Sequence, residues 1–185
     1  MRFTDAPVDG AFIIDLAPHT DARGFFARAF CADAFAEHGL DFNMVQMNLS
    51  YSTARGTLRG LHYQTPPHDE AKLVRCIHGA VYDVVADVRP HSPTFLDWMG
   101  VALSANNRRM VYVPPGCAHG FLTLTDDAEV LYPVSEAYAP EHERGLRYDD
   151  PAVAIDWPAP INRISDKDRA WPNIDPLRRS RSAHN

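Results

Sequence analysis

Arg59-Gly60-Leu61-His62-Tyr63-Gln64, followed closely by Ala71-Lys72-Leu73-Val74-Arg75, gathers an imidazole, two guanidinium groups and an ammonium within aliphatic, strand-like sequence. Side chains carried by strands stand on a rigid wall. A histidine that titrates near neutral pH, set among fixed cations, is suited to taking a proton from an anionic substrate. A second polar series, Gln46, Asn48 and Ser50, alternates with Val45, Met47 and Leu49, so its members would project from one face of a strand. That face either reads a base or sugar through its amides or simply points to water, and the segment alone leaves both open.

The elements that must position these groups are short. An apolar run within residues 10–15 reads as a strand, and Asp21-Ala22-Arg23-Gly24 reads as a turn into residues 25–30, with Arg23 where turn meets strand. Residues 33–38 are expected to form a peripheral helix capped by Asp33, buried through Phe35 and stopped by Gly39. Strands are expected at residues 59–64, 72–77, 81–88, 98–103, 110–113, 119–124 and 129–134, separated by turns rich in Gly, Pro, Asn and Asp. In the third of these, Asp83 and Asp87 share the face opposite Tyr82, Val84 and Ala86, and alternation leaves open which face is inward. Past Tyr138 the chain reads as loop with short helical pieces. Ser165-Asp166-Lys167-Asp168 is a turn or helix start, and the residues from about 172 to 185, with Arg178-Arg179-Ser180-Arg181, read as a polar, solvated tail. Many short strands with almost no amphipathic helix point to an antiparallel sandwich or barrel carrying a few short peripheral helices.

Size and composition narrow the function. A chain of 185 residues supports one domain spanning its whole length. A formal net charge of −6 argues against a general basic surface and hence against nucleic acid as partner, so an anionic ligand must be met by a local pocket. Cys31, Cys76 and Cys117 are odd in number and far apart, which fits neither a disulfide framework nor a zinc knuckle; reduced, buried thiols in a cytoplasmic protein are expected. The first residues form no signal peptide and no apolar run is long enough to cross a bilayer, so secretion and membrane insertion are not expected.

Taken together, Asp21-Ala22-Arg23-Gly24-Phe25-Phe26, Gln46-Met47-Asn48-Leu49-Ser50, Leu58-Arg59-Gly60-Leu61-His62-Tyr63-Gln64, Lys72-Leu73-Val74-Arg75, Ser92-Pro93-Thr94-Phe95, Ala118-His119-Gly120-Phe121, Trp157-Pro158 and Ser165-Asp166-Lys167-Asp168 resemble, in order, the dTDP-4-dehydrorhamnose 3,5-epimerase family. The resemblance runs from about residue 10 to Trp171. It implies a cupin-type jelly-roll barrel, a homodimer that exchanges N-terminal strands within about the first 50 residues, a nucleotide-linked 4-keto-6-deoxyhexose substrate, and neither metal nor redox cofactor.

In such a substrate the hydrogens on C3 and C5 are acidic because either carbanion delocalises onto the C4 oxygen, so the chemistry needs a base, an acid on the opposite face and an oxyanion stabiliser. The resemblance assigns His62 as base with Asp168 as its carboxylate partner, Lys72 as oxyanion stabiliser, and Tyr132 as acid; spacing alone leaves Tyr138 as a rival. It also implies that Arg59 and a partner-subunit Arg23 grip the diphosphate. Gln46 and Asn48 would contact the nucleotide, and His119, Glu143 and Lys167 match further substrate contacts. Arg28 stands where thymidylyl enzymes of the family carry a glutamate, which opens CDP- or GDP-linked sugars beside dTDP-linked ones, and inversion at one carbon beside inversion at both. Two other readings compete. A metal-dependent cupin enzyme would need a His-x-His pair where this chain has His62-Tyr63-Gln64, although His62, Glu70 and His119 could still converge. A non-catalytic sugar-nucleotide-binding barrel would keep Arg23 and Arg59 but lose the proton-transfer groups.

Overall fold

Period-two alternation along nearly every strand divides the side chains into an inner and an outer set, and two antiparallel sheets close their inner faces on each other. The structure, a computed structural model, describes residues 1–175, so the basic Arg178 to Arg181 run lies outside the described residues. In chain order the elements are β1 (Arg2–Asp5), β2 (Phe12–Asp15), β3 (His19–Asp21), β4 (Gly24–Phe26), α1 (Ala32–Ala36), β5 (Gln46–Ser52), β6 (Thr57–Gln64), β7 (Lys72–His78) and β8 (Ala80–Asp87). There follow β9 (Trp98–Ser104), β10 (Met110–Val113), β11 (Cys117–Thr123), β12 (Ala128–Val134), β13 (Glu143–Gly145), β14 (Arg163–Ile164) and α2 (Asp166–Arg169). One sheet has the order β1-β2-β10-β7-β12-β5, and the other has β13-β6-β11-β8-β9 with β14 added parallel to β6. From β6 to β12 the chain passes back and forth between the two sheets, which makes the cupin-like jelly roll.

Inner residues of both sheets, among them Val74, Cys76, Val111 and Val130 from one and Val81, Val85, Met99, Leu103 and Phe121 from the other, form the central core. The outer faces are partly covered. Phe35 of α1 packs with Phe42, Leu73, Met110 and Tyr112 outside the first sheet, while Leu146, Val153 and Trp157 cover Leu61, Val84 and Ala86 outside the second. Both faces of β8 are therefore buried, and Asp83 and Asp87 point inward on the face of Val81 and Val85. Asp87, fully buried, accepts bonds from Arg89 Nε at 2.9 Å, Ser92 Oγ at 2.5 Å and Thr94 Oγ1 at 2.7 Å. Burial pushes its carboxyl up, but these donors outweigh burial and hold it below its ordinary value. The Ser92-Pro93-Thr94 corner is thus a structural knot.

Several local expectations need correction. The strand after Arg23 is only Gly24–Phe26, paired with β3 in a separate ribbon, because nothing in residues 27–31 finds a neighbouring strand. The N-cap of α1 is Cys31, without a side-chain cap bond, so Asp33 sits inside the first turn instead of capping it. The region past Tyr138 adds two strands, β13 and β14, to the two ends of the β6 edge that β11 leaves free, whose hydrogen bonds override weak local propensity.

Strict alternation would put Arg59 and His62 on opposite faces of β6. They share one face because the ladder slips: Leu122 pairs with Leu58 and Phe121 with Arg59, but His119 pairs with His62, so β6 carries one extra residue at Gly60-Leu61. Gly60, at φ +118°, lies so near β11 that a Cβ there would meet Gly120 Cα at 2.6 Å and the His119 carbonyl at 2.8 Å. Gly60→Ala is therefore expected to destabilise the fold by roughly 1–3 kcal/mol through overpacking and backbone strain. Urea denaturation checks this, and an unchanged midpoint would contradict the close approach.

Candidate active site

The cavity lies between the sheets, beyond the apolar core, and has two lobes that share His62, Lys72 and Tyr132. A lobe of about 300 Å³ is lined by Gln46, Asn48, Glu70, Tyr138 and Glu143, and one of about 480 Å³ by Ser50, Arg59, His119, Lys167 and Asp168. His62 comes from β6 in one sheet; Lys72 and Tyr132 come from β7 and β12 in the other. An imidazole and a phenol thus approach the space from opposite walls.

His62 Nε2 donates to Asp168 Oδ1 at 2.6 Å, which leaves the lone pair of the neutral ring on Nδ1. Beside the His62 bond, Asp168 is fixed by two further contacts. The Gly60 N–H donates to its Oδ2 at 3.2 Å, its own N–H donates to Ser165 Oγ at 3.0 Å as the cap of α2, and the bulge in β6 brings the Gly60 amide within reach. Burial pushes the Asp168 carboxyl up, but the His62 bond and charge and the Gly60 and Ser165 donors prevail, so it titrates below its ordinary value. Trp171 stands edge-on to the His62 ring with centroids 6.1 Å apart, lying on Gly145, where a Cβ would be 2.1 Å from the indole.

Lys72 is buried; its Nζ donates to the His62 carbonyl at 3.2 Å and forms an ion pair with Glu70 Oε1 at 3.1 Å. Burial pushes the Tyr132 phenol up; Arg59 opposes the rise and Glu70 adds to it, so Tyr132 keeps its proton well into alkaline conditions. The rival Tyr138 is exposed and already donates its hydroxyl to Glu143 Oε2 at 2.8 Å. Glu143 is also bonded by Lys167 Nζ at 2.7 Å; burial pushes this carboxyl up, yet the two donors hold it low. Arg59 reaches across to β5, donating to Ser52 Oγ at 3.0 Å and the Tyr51 carbonyl at 2.8 Å. His119 is oriented by buried Asp83, with Nε2 and Oδ2 2.9 Å apart.

Gln46, Asn48 and Ser50 all face the cavity, and Gln46 Nε2 donates to Asn48 Oδ1 at 2.7 Å. The polar side of β5 is thus the inner one, and Met47, Leu49 and Tyr51 are exposed outside. Arg23 is remote from the cavity within one chain: it pairs with Asp21 at the ribbon tip and its side chain is 90% exposed. Arg28 is also away from the lobes, its Nη1 3.5 Å from Cys31 Sγ. Sequence reasoning gave no role to Asp83 or Trp171, and weighed Glu70 only as a ligand in the metal-dependent reading. Alternation put Asp83 on a defined face, but its meeting with His119 depends on the pairing of β8 with β11. Among the described residues no group of three or more His, Cys, Asp or Glu is arranged to hold a metal ion; His62, Glu70 and His119 are engaged separately by Asp168, Lys72 and Asp83.

The sequence profile of the family dTDP-4-dehydrorhamnose 3,5-epimerase matches residues 5–175. The chain is 46% identical to a dTDP-4-dehydrorhamnose 3,5-epimerase of Methanothermobacter thermautotrophicus over 92% of each protein. Among solved structures, it superposes on a dTDP-4-dehydrorhamnose 3,5-epimerase of Bacillus anthracis with TDP and PPi bound, at TM-score 0.89 and 39% identity, covering 94% of this chain and 99% of that one. A 3'-monoepimerase from Streptomyces bikiniensis in complex with dTDP-quinovose gives TM-score 0.83 and 39% identity over 91% of this chain and 85% of that one.

Because the folded Asp168 titrates below the ordinary value of 3.8, its stabilising contribution is fully present above about pH 4 and is lost as pH falls through the lower folded value. Asp168→Asn is expected to flatten the acid limb: below pH ~4 the urea midpoint of the wild type should fall more steeply than that of the variant. Parallel limbs would show that these bonds do not favour the carboxylate.

Proposed function

The chain belongs to the dTDP-4-dehydrorhamnose 3,5-epimerase family, an isomerase family acting on carbohydrates, and from that premise we propose that it inverts C3 and C5 of dTDP-4-dehydro-6-deoxyglucose through an enolate. The observation that carries this reading is the shared cavity in which the Asp168-held His62 faces Tyr132 and Lys72 from the opposite sheet. His62 Nδ1 takes the proton from C3 or C5, and the electron pair moves into the carbon skeleton as the C4 carbonyl becomes an enolate. The buried Lys72 ammonium meets that oxygen where water is sparse, so its attraction exceeds what it would be in bulk solvent. Tyr132 then gives its proton to the other face of the carbon, inverting it. The imidazolium and phenolate return to their starting states by exchange with solvent.

Arg59, His119 and Lys167 supply positive or donor groups to the larger lobe, which suits the diphosphate and sugar oxygens. The TDP and dTDP-quinovose bound by the two structural relatives support a thymidine nucleotide here, with Arg28 in place of the acidic residue. The likeness to a 3'-monoepimerase keeps inversion at C3 alone as the second reading.

Arg23 and Arg28 act in this reading from a second copy of the chain. Edge strand β5 turns Met47, Leu49 and Tyr51 outward, and Phe26 beside the ribbon tip is 75% exposed, a surface that supports a homodimer in which the N-terminal ribbon reaches into the neighbouring cavity.

Proton NMR in D2O with the dTDP-4-keto sugar is expected to show loss of both C3-H and C5-H signals; loss at C3 alone selects the mono-epimerase, and no loss with retained binding overturns the enzyme. His62→Ala should reduce exchange about 10²–10⁴-fold while keeping dTDP affinity. Separately, Arg23→Ala and His62→Ala are each expected to be impaired, and unfolding and refolding them together should restore about a quarter of wild-type activity, since half the random pairs are mixed and each has one intact site. No restoration would mean that Arg23 serves its own chain.

A further inference from the structure

We propose that Glu70 is a positioning residue of this reaction: it holds the Lys72 ammonium at the junction of the two lobes, where the enolate oxygen forms. The inference rests on the epimerase reading above and adds to it a residue to which neither motif nor mechanism gave a part.

Glu70 lies in the loop two residues before β7 and is only 8% exposed. Its Oε1 lies 3.1 Å from Lys72 Nζ, and its Oε2 is buried without a hydrogen-bond partner among the described residues. A carboxylate oxygen left bare in a buried place costs free energy, and such costs are retained where a site needs them. Glu70 lines the smaller lobe, while its bare oxygen is shielded from solvent. The ammonium is bracketed by the His62 carbonyl at 3.2 Å on the other sheet and by Glu70 on its own side. Without the carboxylate a four-carbon lysine stem has several rotamers within the cavity. With it, one N–H goes to the carbonyl, the charge is held on the Glu70 side, and the remaining donor capacity faces the lobes. The same charge also bears on Tyr132, the group that must keep its proton until the enolate has formed. The other titratable groups lining the smaller lobe are His62, Tyr63, Glu136, Tyr138 and Glu143.

Because the carboxylate partly cancels the field of Lys72, its use here is placement and not extra attraction. Its removal should lower kcat and leave ground-state binding of the nucleotide intact. The test compares wild type, Glu70→Gln and Glu70→Asp for C3-H exchange in D2O, for dTDP affinity and for the pH dependence of kcat. Wild-type exchange is measured first: its absence removes the epimerase reading, whereas its presence leaves Glu70 alone at issue. Glu70→Gln is expected to lose about 10–100-fold in kcat, as a misplaced catalytic group does, with dTDP affinity within about twofold of wild type. The alkaline limb of its kcat profile should move to lower pH, because Tyr132 sheds its proton sooner once the carboxylate is neutral. Glu70→Asp, one methylene shorter but still charged, should lose rate while keeping the alkaline limb in place, and it carries the test if the neutral variant is unstable. Wild-type kcat in both variants, or equal losses in kcat and dTDP affinity with an unmoved limb, would overturn the inference.

Discussion

One extra residue in β6 decides what the cavity contains. Gly60 presses against the backbone of β11, the register slips by a residue, and Arg59 and His62 come to one face although their spacing is odd. The same distortion turns the Gly60 N–H toward Asp168, whose carboxylate then bridges the bulge and the imidazole. A regular β6 would send either Arg59 or His62 into the outer core beside Leu61 and Tyr63. The bulge therefore couples the backbone of the second sheet to the orientation of the His62 imidazole.

Around this feature the barrel interior is divided by polarity. Val74, Val111, Val130, Val81 and Val85 make an apolar core, and nearby positions on β7, β12, β8 and β11 deliver Lys72, Tyr132, Asp83 and His119. Charged groups so deep in a fold are tolerated when paired, and here each has a partner: Lys72 has Glu70 two residues away, while His119 and His62 have Asp83 and Asp168 from distant parts of the chain. The pairs fix side chains by mutual attraction where apolar packing is absent. They also place cation and carboxylate side by side, so the cavity is a set of oriented dipoles more than a pool of positive charge.

Strand β5 has the reverse polarity of an ordinary edge strand. Its amides and hydroxyls face inward because they line a cavity, and its apolar residues are left outside, Leu49 at 60% exposure. An exposed apolar edge is a liability unless something covers it, which is why a second copy of the chain enters the proposed function. Inner chemistry and outer association are then two faces of one period-two pattern.

The sequence by itself determined much of this protein. Alternating short strands and turn residues make two antiparallel sheets, the Gln46-Asn48-Ser50 series makes a polar strand face, and Ser165 caps a short helix with Asp168 in its first turn, because these depend on local periodicity and local hydrogen bonding. The order of motifs also carried the family. Tertiary structure alone decided which face of β5 and of β8 was inward, since alternation gives two faces and no sign. It alone decided that Arg59 joins His62, because a bulge depends on the partner strand and leaves no period in the sequence. The meeting of His62 with Asp168 and of Asp83 with His119 likewise waited on pairing across residues distant in the chain, and only the folded register brings such groups to hydrogen-bonding distance.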